Sequence, residues 1–334
     1  MGEIVYSAVP LQNRKIGGFA DRLKGIFFTY SLANILGWRF RIYWPEYYEQ
    51  MRLNLKDESR LIIERGALPD GAVLDLIDWP SRGKHNVVHA LIDSRFKEST
   101  FIINANILSF DMLSLKKEDV MRGLGMESWK ESILFKNTFD ALFHSSPALK
   151  NNDFHDEFFD FKRKQKFLIG VQLRFGGWEN WDDPLFLHPR AIQYTPHAIE
   201  QVKRALNISK IGVYFSTDNG KAKAHARSFL GDRYSYFSFD KDPEHFERSK
   251  DINDEDFDFI NAEHYCLSKC NFLITGFGQF GVTAAYRGGV PYADFNALVT
   301  LPRSLDFLLQ LAKFRQRVRI QLTRWPRKVR KRVA

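Results

Sequence analysis

Along the chain, short apolar runs alternate with stretches in which apolar residues recur every three to four positions. Ile4 to Val9 reads as a strand, Asp21 to Leu36 as a helix stopped by Gly37, and Arg39 to Trp44 as a second strand, a βαβ opening. Asn86 to Ile92 and Thr100 to Asn104 are further strand candidates, and Lys117 to Gly123 and Trp129 to His144 are predicted helical. From Lys150 to Lys166 charge is dense and no long apolar run occurs before Phe167, which predicts a domain boundary. Beyond it the alternation is cleaner. Phe167 to Phe175, Lys210 to Ser216, Tyr234 to Phe239, Asn271 to Thr275 and Pro291 to Phe295 read as strands. Thr195 to Leu206, with Pro196 in its first turn, Gly220 to Leu230, Asp258 to Lys269 and Gln279 to Arg287 read as the helices between them. Such alternation predicts α/β domains with parallel, doubly wound sheets, whose ligands lie at the carboxyl ends of the strands.

At 334 residues, 44% hydrophobic and 27% charged, the composition excludes a largely disordered chain and points to two domains. Two cysteines exclude a disulfide scaffold. The net charge of +9 is concentrated at one end: from Lys313 onward there are ten basic residues and no acid, so residues 1–312 carry −1. A neutral body argues against nucleic acid as a partner and leaves the tail as the generic polyanion site. The tail opens with an apolar-periodic segment from Leu305 to Leu322 and ends in Arg and Lys around Trp325. Two readings stand: peripheral contact with an anionic membrane, at about 1 kcal/mol per basic residue, or a helix that braces the N-terminal domain before a disordered end. The uncharged run Gly25 to Trp38, 14 residues, is shorter than the about 18–20 a spanning helix needs. No secretory pattern is found at the start, so a cytoplasmic location is expected, peripheral to the inner face of the membrane if the tail binds it.

Chemistry is sought where strands end. Gly17-Gly18-Phe19-Ala20-Asp21-Arg22 is a glycine turn into a helix, able to receive an anion at the helix N-terminus, or else a tight turn with Asp21 as helix cap. It is not GxGxxG, so the dinucleotide fingerprint is absent. Gln172-Leu173-Arg174-Phe175-Gly176-Gly177 ends a buried strand in an arginine, whose planar fork suits a phosphate or, structurally, a carboxylate. Trp178, Glu179, Trp181, Asp182 and Asp183 follow, rings and carboxylates of the kind that bind sugars and take protons. Ser216-Thr217-Asp218 and Thr275-Gly276-Phe277-Gly278-Gln279 end two more strands, the latter with free backbone N–H groups for a phosphate.

Taken in this order, Gly17 to Leu23, Gln172 to Gly176, Ser216 to Asp218 and Cys266 to Gly281 resemble the motif series of the fucosyltransferase superfamily, which unites α1,2-, α1,6- and protein O-fucosyltransferases with the nodulation fucosyltransferase. The resemblance spans nearly the whole chain. It implies a GT-B type fold, two Rossmann-like doubly wound domains facing across a cleft: an acceptor-side domain at 1–155, a GDP-sugar domain at 165–302, and a C-terminal helix and basic tail at 303–334. It implies an inverting transfer of fucose from GDP-fucose to a glycan hydroxyl, with a bacterial surface polysaccharide or oligosaccharide as the expected acceptor and with neither metal nor cofactor. Arg174 would hold the donor pyrophosphate, Asp218 would contact the guanine, and Thr275, Phe277, Gly278 and Gln279 would surround the phosphates. Gly17, Gly18, Asp21, Arg22, Gln172 and Thr217 complete the implied donor site, and one of Glu179, Asp182 and Asp183, with Glu179 favoured, would be the base. Gln172 stands where the family has His, Ala20 replaces a common Gly, and the serine pair of the last turn is absent around Gly278-Gln279. These departures leave two alternatives, a transferase of another GDP-sugar and a non-catalytic nucleotide- or sugar-binding relative.

Asp256-Phe257-Asp258 has the D-x-D form of some metal-dependent glycosyltransferases but reads as an acidic helix start. His264, Cys266 and Cys270 lack a second ligand pair, so no metal site is expected.

Overall fold

The computed structural model describes residues 2–9, 17–76, 100–106, 130–148, 153–176, 185–241, 254–300, 310, 312 and 313. Contacts divide them into two units, one of Met1–Asp156, His245–Lys269 and Val282–Val290, the other of Glu157–Glu244, Cys270–Gly281 and Pro291–Ala334. The expected strand at 86–92, the helix at 117–123 and nearly all of the tail lie outside the described residues. Among the described residues no helix is long and apolar enough to cross a membrane.

In the first unit β1 (Glu3–Ser7), β2 (Arg39–Tyr43), β3 (Ala72–Asp75) and β4 (Thr100–Asn104) form a parallel sheet in the order β2-β1-β4-β3. Helix α1 (Phe19–Leu36) packs on β1 and β2, and Gly37, left-handed at φ 66°, ends it. Gly25 lets α1 approach this closely. A Cβ there would stand 1.9 Å from the Ala105 carbonyl oxygen and 2.5 Å from Cε2 of the buried Tyr6. Gly25→Ala is therefore expected to destabilise the fold by about 1–3 kcal/mol, read as a lower urea midpoint. Short helices α2 (Tyr48–Asn54) and α3 (Glu58–Leu61) follow β2, and α4 (Glu131–Leu142) packs Phe135 edge-on against Phe27 of α1, with ring centroids 4.3 Å apart.

The charged segment expected to be a bare boundary contains a helix, α5 (Asp153–Arg163). Acids in its first turn and bases in its last complement the helix dipole. Phe158 is fully buried against Tyr214 and Phe237, and Phe161 stacks on Phe237.

The second unit holds β5 (Leu168–Leu173), α6 (Thr195–Leu206), β6 (Gly212–Thr217), α7 (Gly220–Gly231) and β7 (Ser235–Phe237), then β8 (Phe272–Gly276) and β9 (Tyr292–Asp294). The sheet is parallel, in the order β7-β6-β5-β8-β9, with every residue of β5 and β6 buried. This is the Rossmann order, and it puts the switch point of the topology between β5 and β8.

Helix α8 (Asp254–Ser268) and most of α9 (Phe280–Gly288) belong to the first unit. α8 begins at Asp254, four residues ahead of the expected start, and Asp254, Glu255 and Asp256 fill its first turn. On its inner face His264, fully buried, lies 3.1 Å from the Thr283 hydroxyl through Nε2 and accepts at Nδ1 from Arg287 at 3.3 Å. Arg287 in turn lies between the rings of Phe139 and Tyr265, its guanidinium carbon 4.3 and 4.9 Å from their centres. Burial first, then the Arg287 charge, hold the His264 pKa well below that of a free imidazole. The folded chain thus keeps His264 neutral where the unfolded chain binds a proton, so its stability is complete above about pH 6.5 and falls as pH drops below it. Urea midpoints between pH 7.5 and 5.5 are expected to fall, and to fall less in His264→Gln. Cys266 and Cys270 are buried and are not joined in a disulfide.

Candidate functional site

Three strand ends of the second unit meet where the Rossmann order reverses. The register sets Gln172 of β5 between Ser216 of β6 and Thr275 of β8, and Leu173 between Thr217 and Gly276. One residue later Arg174 leaves the strand, its N–H still bonded to the Gly276 carbonyl at 3.2 Å.

Asp218, the first residue after β6, organises this edge. Its Oδ1 accepts from the Phe175 N–H at 2.8 Å and its Oδ2 from the Gly176 N–H at 3.1 Å, while Arg174 Nε lies 3.7 Å from Oδ2. The carboxylate thus holds both the loop after β5 and the base of the arginine. Next along the chain, Asn219 caps α7 by accepting from the Ala222 N–H at 2.8 Å. The Arg174 guanidinium lies on the face of Phe186, 4.4 Å from the ring centre.

The opposite wall is the turn between β8 and α9. Phe277 has φ 39°, a conformation a bulky side chain adopts only under constraint and one that costs about 1–3 kcal/mol. Its ring is 41% exposed, with its centroid 6.4 Å from that of Phe186. Gly278 follows at φ 85°, and a Cβ there would meet Arg174 Cδ at 3.2 Å. Only glycine meets both demands, a left-handed backbone and an arginine lying directly against it. Beneath, Gln172 Oε1 and Thr217 Oγ1 are buried without a hydrogen-bond partner among the described residues, and Thr275 is also buried. Buried acceptors of this kind are costly unless a ligand satisfies them.

The structure therefore brings together Gln172, Arg174, Thr217, Asp218, Thr275, Phe277, Gly278 and Gln279 at one sheet edge. Gly17, Gly18, Asp21 and Arg22 belong to the first unit. There Gly18 precedes α1, Arg22 donates to the Gly17 carbonyl at 2.8 Å and faces Trp44 at 5.5 Å, and Asp21 pairs Lys24 at 2.9 Å. Asp21 lies inside the first turn, so the turn-with-cap alternative does not describe it. Glu179, Asp182 and Asp183 lie outside the described residues. Phe186 was not singled out in the sequence. It sits in a loop, twelve positions from the arginine it supports, and no local pattern marks it.

The geometry offers a guanidinium with a fixed base, a strained turn and unsatisfied acceptors, a setting for an anionic, polar ligand. No family model matches the chain, and no curated protein matches it. Among solved structures, a mutant of Arabidopsis thaliana FUT1 in complex with GDP is 14% identical, with a TM-score of 0.58 over 87% of this chain and 70% of that one. NodZ alpha-1,6-fucosyltransferase soaked with GDP-fucose is 15% identical, TM-score 0.48, over 88% and 94%, and POFUT1 in complex with GDP is 10% identical, TM-score 0.44, over 88% and 98%. At the identity of the first, the likeness is one of fold. The chain has the α/β fold of two Rossmann-like units that the resemblance to the fucosyltransferase superfamily implies.

Proposed function

We propose that the chain is a glycosyltransferase that moves fucose, with inversion, from GDP-fucose to a glycan hydroxyl, without metal or cofactor. The observation that carries this reading is Arg174, held at the carboxyl end of β5 by Asp218 and bounded by Gly278. As the bond from the sugar carbon to the β-phosphate oxygen breaks, negative charge collects on GDP, and the guanidinium with the turn's N–H groups stabilises it. The acceptor oxygen forms the new bond on the opposite face of the sugar. Its proton passes to a carboxylate, for which Glu179 is preferred over Asp182 and Asp183. Gln172 and Thr217 offer unsatisfied acceptors to the donor's polar groups. Asp218, with both oxygens engaged by backbone N–H groups, positions Arg174 as well as facing the donor site. The acceptor belongs to a bacterial surface polysaccharide or oligosaccharide, and the enzyme works in the cytoplasm with its basic tail against the anionic inner leaflet.

The test is heat denaturation with GDP, GDP-fucose, GDP-mannose and UDP-glucose in turn, since a ligand that binds the folded chain raises the midpoint. A rise with GDP and GDP-fucose but not UDP-glucose is expected. A larger rise with GDP-mannose would replace fucose as the transferred sugar, and no rise with any of the four would overturn the reading.

A further inference from the structure

The edge of the second sheet opposite the candidate site carries a different chemistry. The segments that enter β5, β6 and β7, residues 164–166, 209–211 and 233–235, come together with one face of α6, from Pro196 to Arg204, around an open groove of about 950 Å³. Strands of six residues separate it from the Arg174 edge by about 20 Å.

The groove is strongly cationic. Lys164, Lys166, Arg204, Lys210 and Arg233 line it and are exposed. Its carboxylate, Glu200, is already spent: Oε1 accepts from Lys203 Nζ and from the Tyr234 hydroxyl, both at 2.9 Å. For Lys164, Lys166 and Lys210 no side-chain hydrogen bond or ion pair is found among the described residues. Among the described residues five positive charges thus border one concavity, against the single carboxylate of Glu200. Such an arrangement costs self-repulsion that a solvated convex face would spread out. The wall between the charges is structured, since Gln165 Nε2 bonds the Ser235 hydroxyl at 2.8 Å and Glu200 fixes the Tyr234 ring.

From this we infer that the groove is a second binding site, for a ligand bearing two or more phosphate groups. Lysine acts as a point charge toward phosphate, and a concave set of lysines and arginines brackets adjacent phosphates as a planar basic surface does not. The lining mixes charged side chains with the apolar surface of Pro196 and Ile211, and its excess of positive charge selects an anionic ligand. The inference does not rest on the transferase reading. The same chemistry is offered by a free oligophosphate and by the clustered headgroups of an anionic lipid.

The experiment uses the full chain and two probes, sodium tripolyphosphate by calorimetry and phosphatidylglycerol vesicles by sedimentation, with phosphatidylcholine vesicles as blank. Lys166→Glu/Lys210→Glu is expected to weaken binding of at least one probe by about tenfold or more. Arg39→Glu/Lys130→Glu, which makes the same charge change in the first unit, is expected to leave it near wild type. Loss confined to tripolyphosphate identifies a free phosphate ligand, and loss confined to vesicles identifies a lipid headgroup. Either supports the site. Equal losses in the two variants would assign the binding to overall charge and the basic tail, and overturn it. So would wild-type binding by the groove variant, or no binding of either probe. Lys164→Glu/Arg233→Glu repeats the test should the first variant fold poorly.

Discussion

Arg174→Ala is expected to lower the rate of sugar transfer by about 10²–10³-fold, with an unfolding midpoint close to that of the parent chain. The two effects separate because of how the arginine is held. Its guanidinium rests on Phe186 and beside Asp218, but the bonds that close the loop after β5 run from the backbone of Phe175 and Gly176 to the same carboxylate and survive the substitution. Arg174→Lys keeps the charge and loses the planar fork, so it should recover part of the rate and little of the stacking. Initial rates at saturating donor and urea curves on the same preparations make the comparison. Full activity in Arg174→Ala would remove the arginine from the chemistry altogether.

Asp218→Ala should do the reverse of Arg174→Ala on stability while sharing its effect on activity. Two backbone N–H groups lose a charged acceptor, each such bond being worth about 1.5–3 kcal/mol and partly replaced by water at a site of this exposure, so a loss of about 2–4 kcal/mol is expected. Asp218→Asn retains one acceptor oxygen but turns an NH₂ group toward the second N–H, and should fall between the two. Urea denaturation measures the loss directly. A stability unchanged by Asp218→Ala would mean that the loop finds other partners and that Asp218 is not what positions Arg174.

Much of this was legible in the sequence, for physical reasons that differ from place to place. β5 and β6 are buried along their whole length and so read as near-continuous apolar runs, broken only toward their carboxyl ends by Gln172 and by Ser216-Thr217, and α6 carries both a proline in its first turn and Asn207, left-handed at φ 53°, as its end. α5 was hidden because its phenylalanines are separated by charge, although its acid-first, base-last order is itself a helix signature. β3 is an edge strand with Val73 44% exposed, so it shows little alternation. At the site, the residues at each strand end were visible one segment at a time. Their pairing was not: Asp218 reaches Phe175 and Gly176 across 43 and 42 positions, a distance that local pattern does not carry. The Phe186 platform was invisible for the same reason, and Phe277, though named from the sequence, gave no sign there of its constrained backbone.

The first unit is completed by α8, thirteen of whose fifteen residues are buried. A chain emerging from the ribosome has its first 156 residues in hand long before that helix exists. At roughly 5–20 residues per second the wait is on the order of ten seconds, during which the faces of α1 and α2 that α8 covers lack their partner. The amino-terminal half is therefore not an excisable module. Expressed alone it should need a chaperone or aggregate, whereas the intact chain folds its beginning only after most of its end has been made.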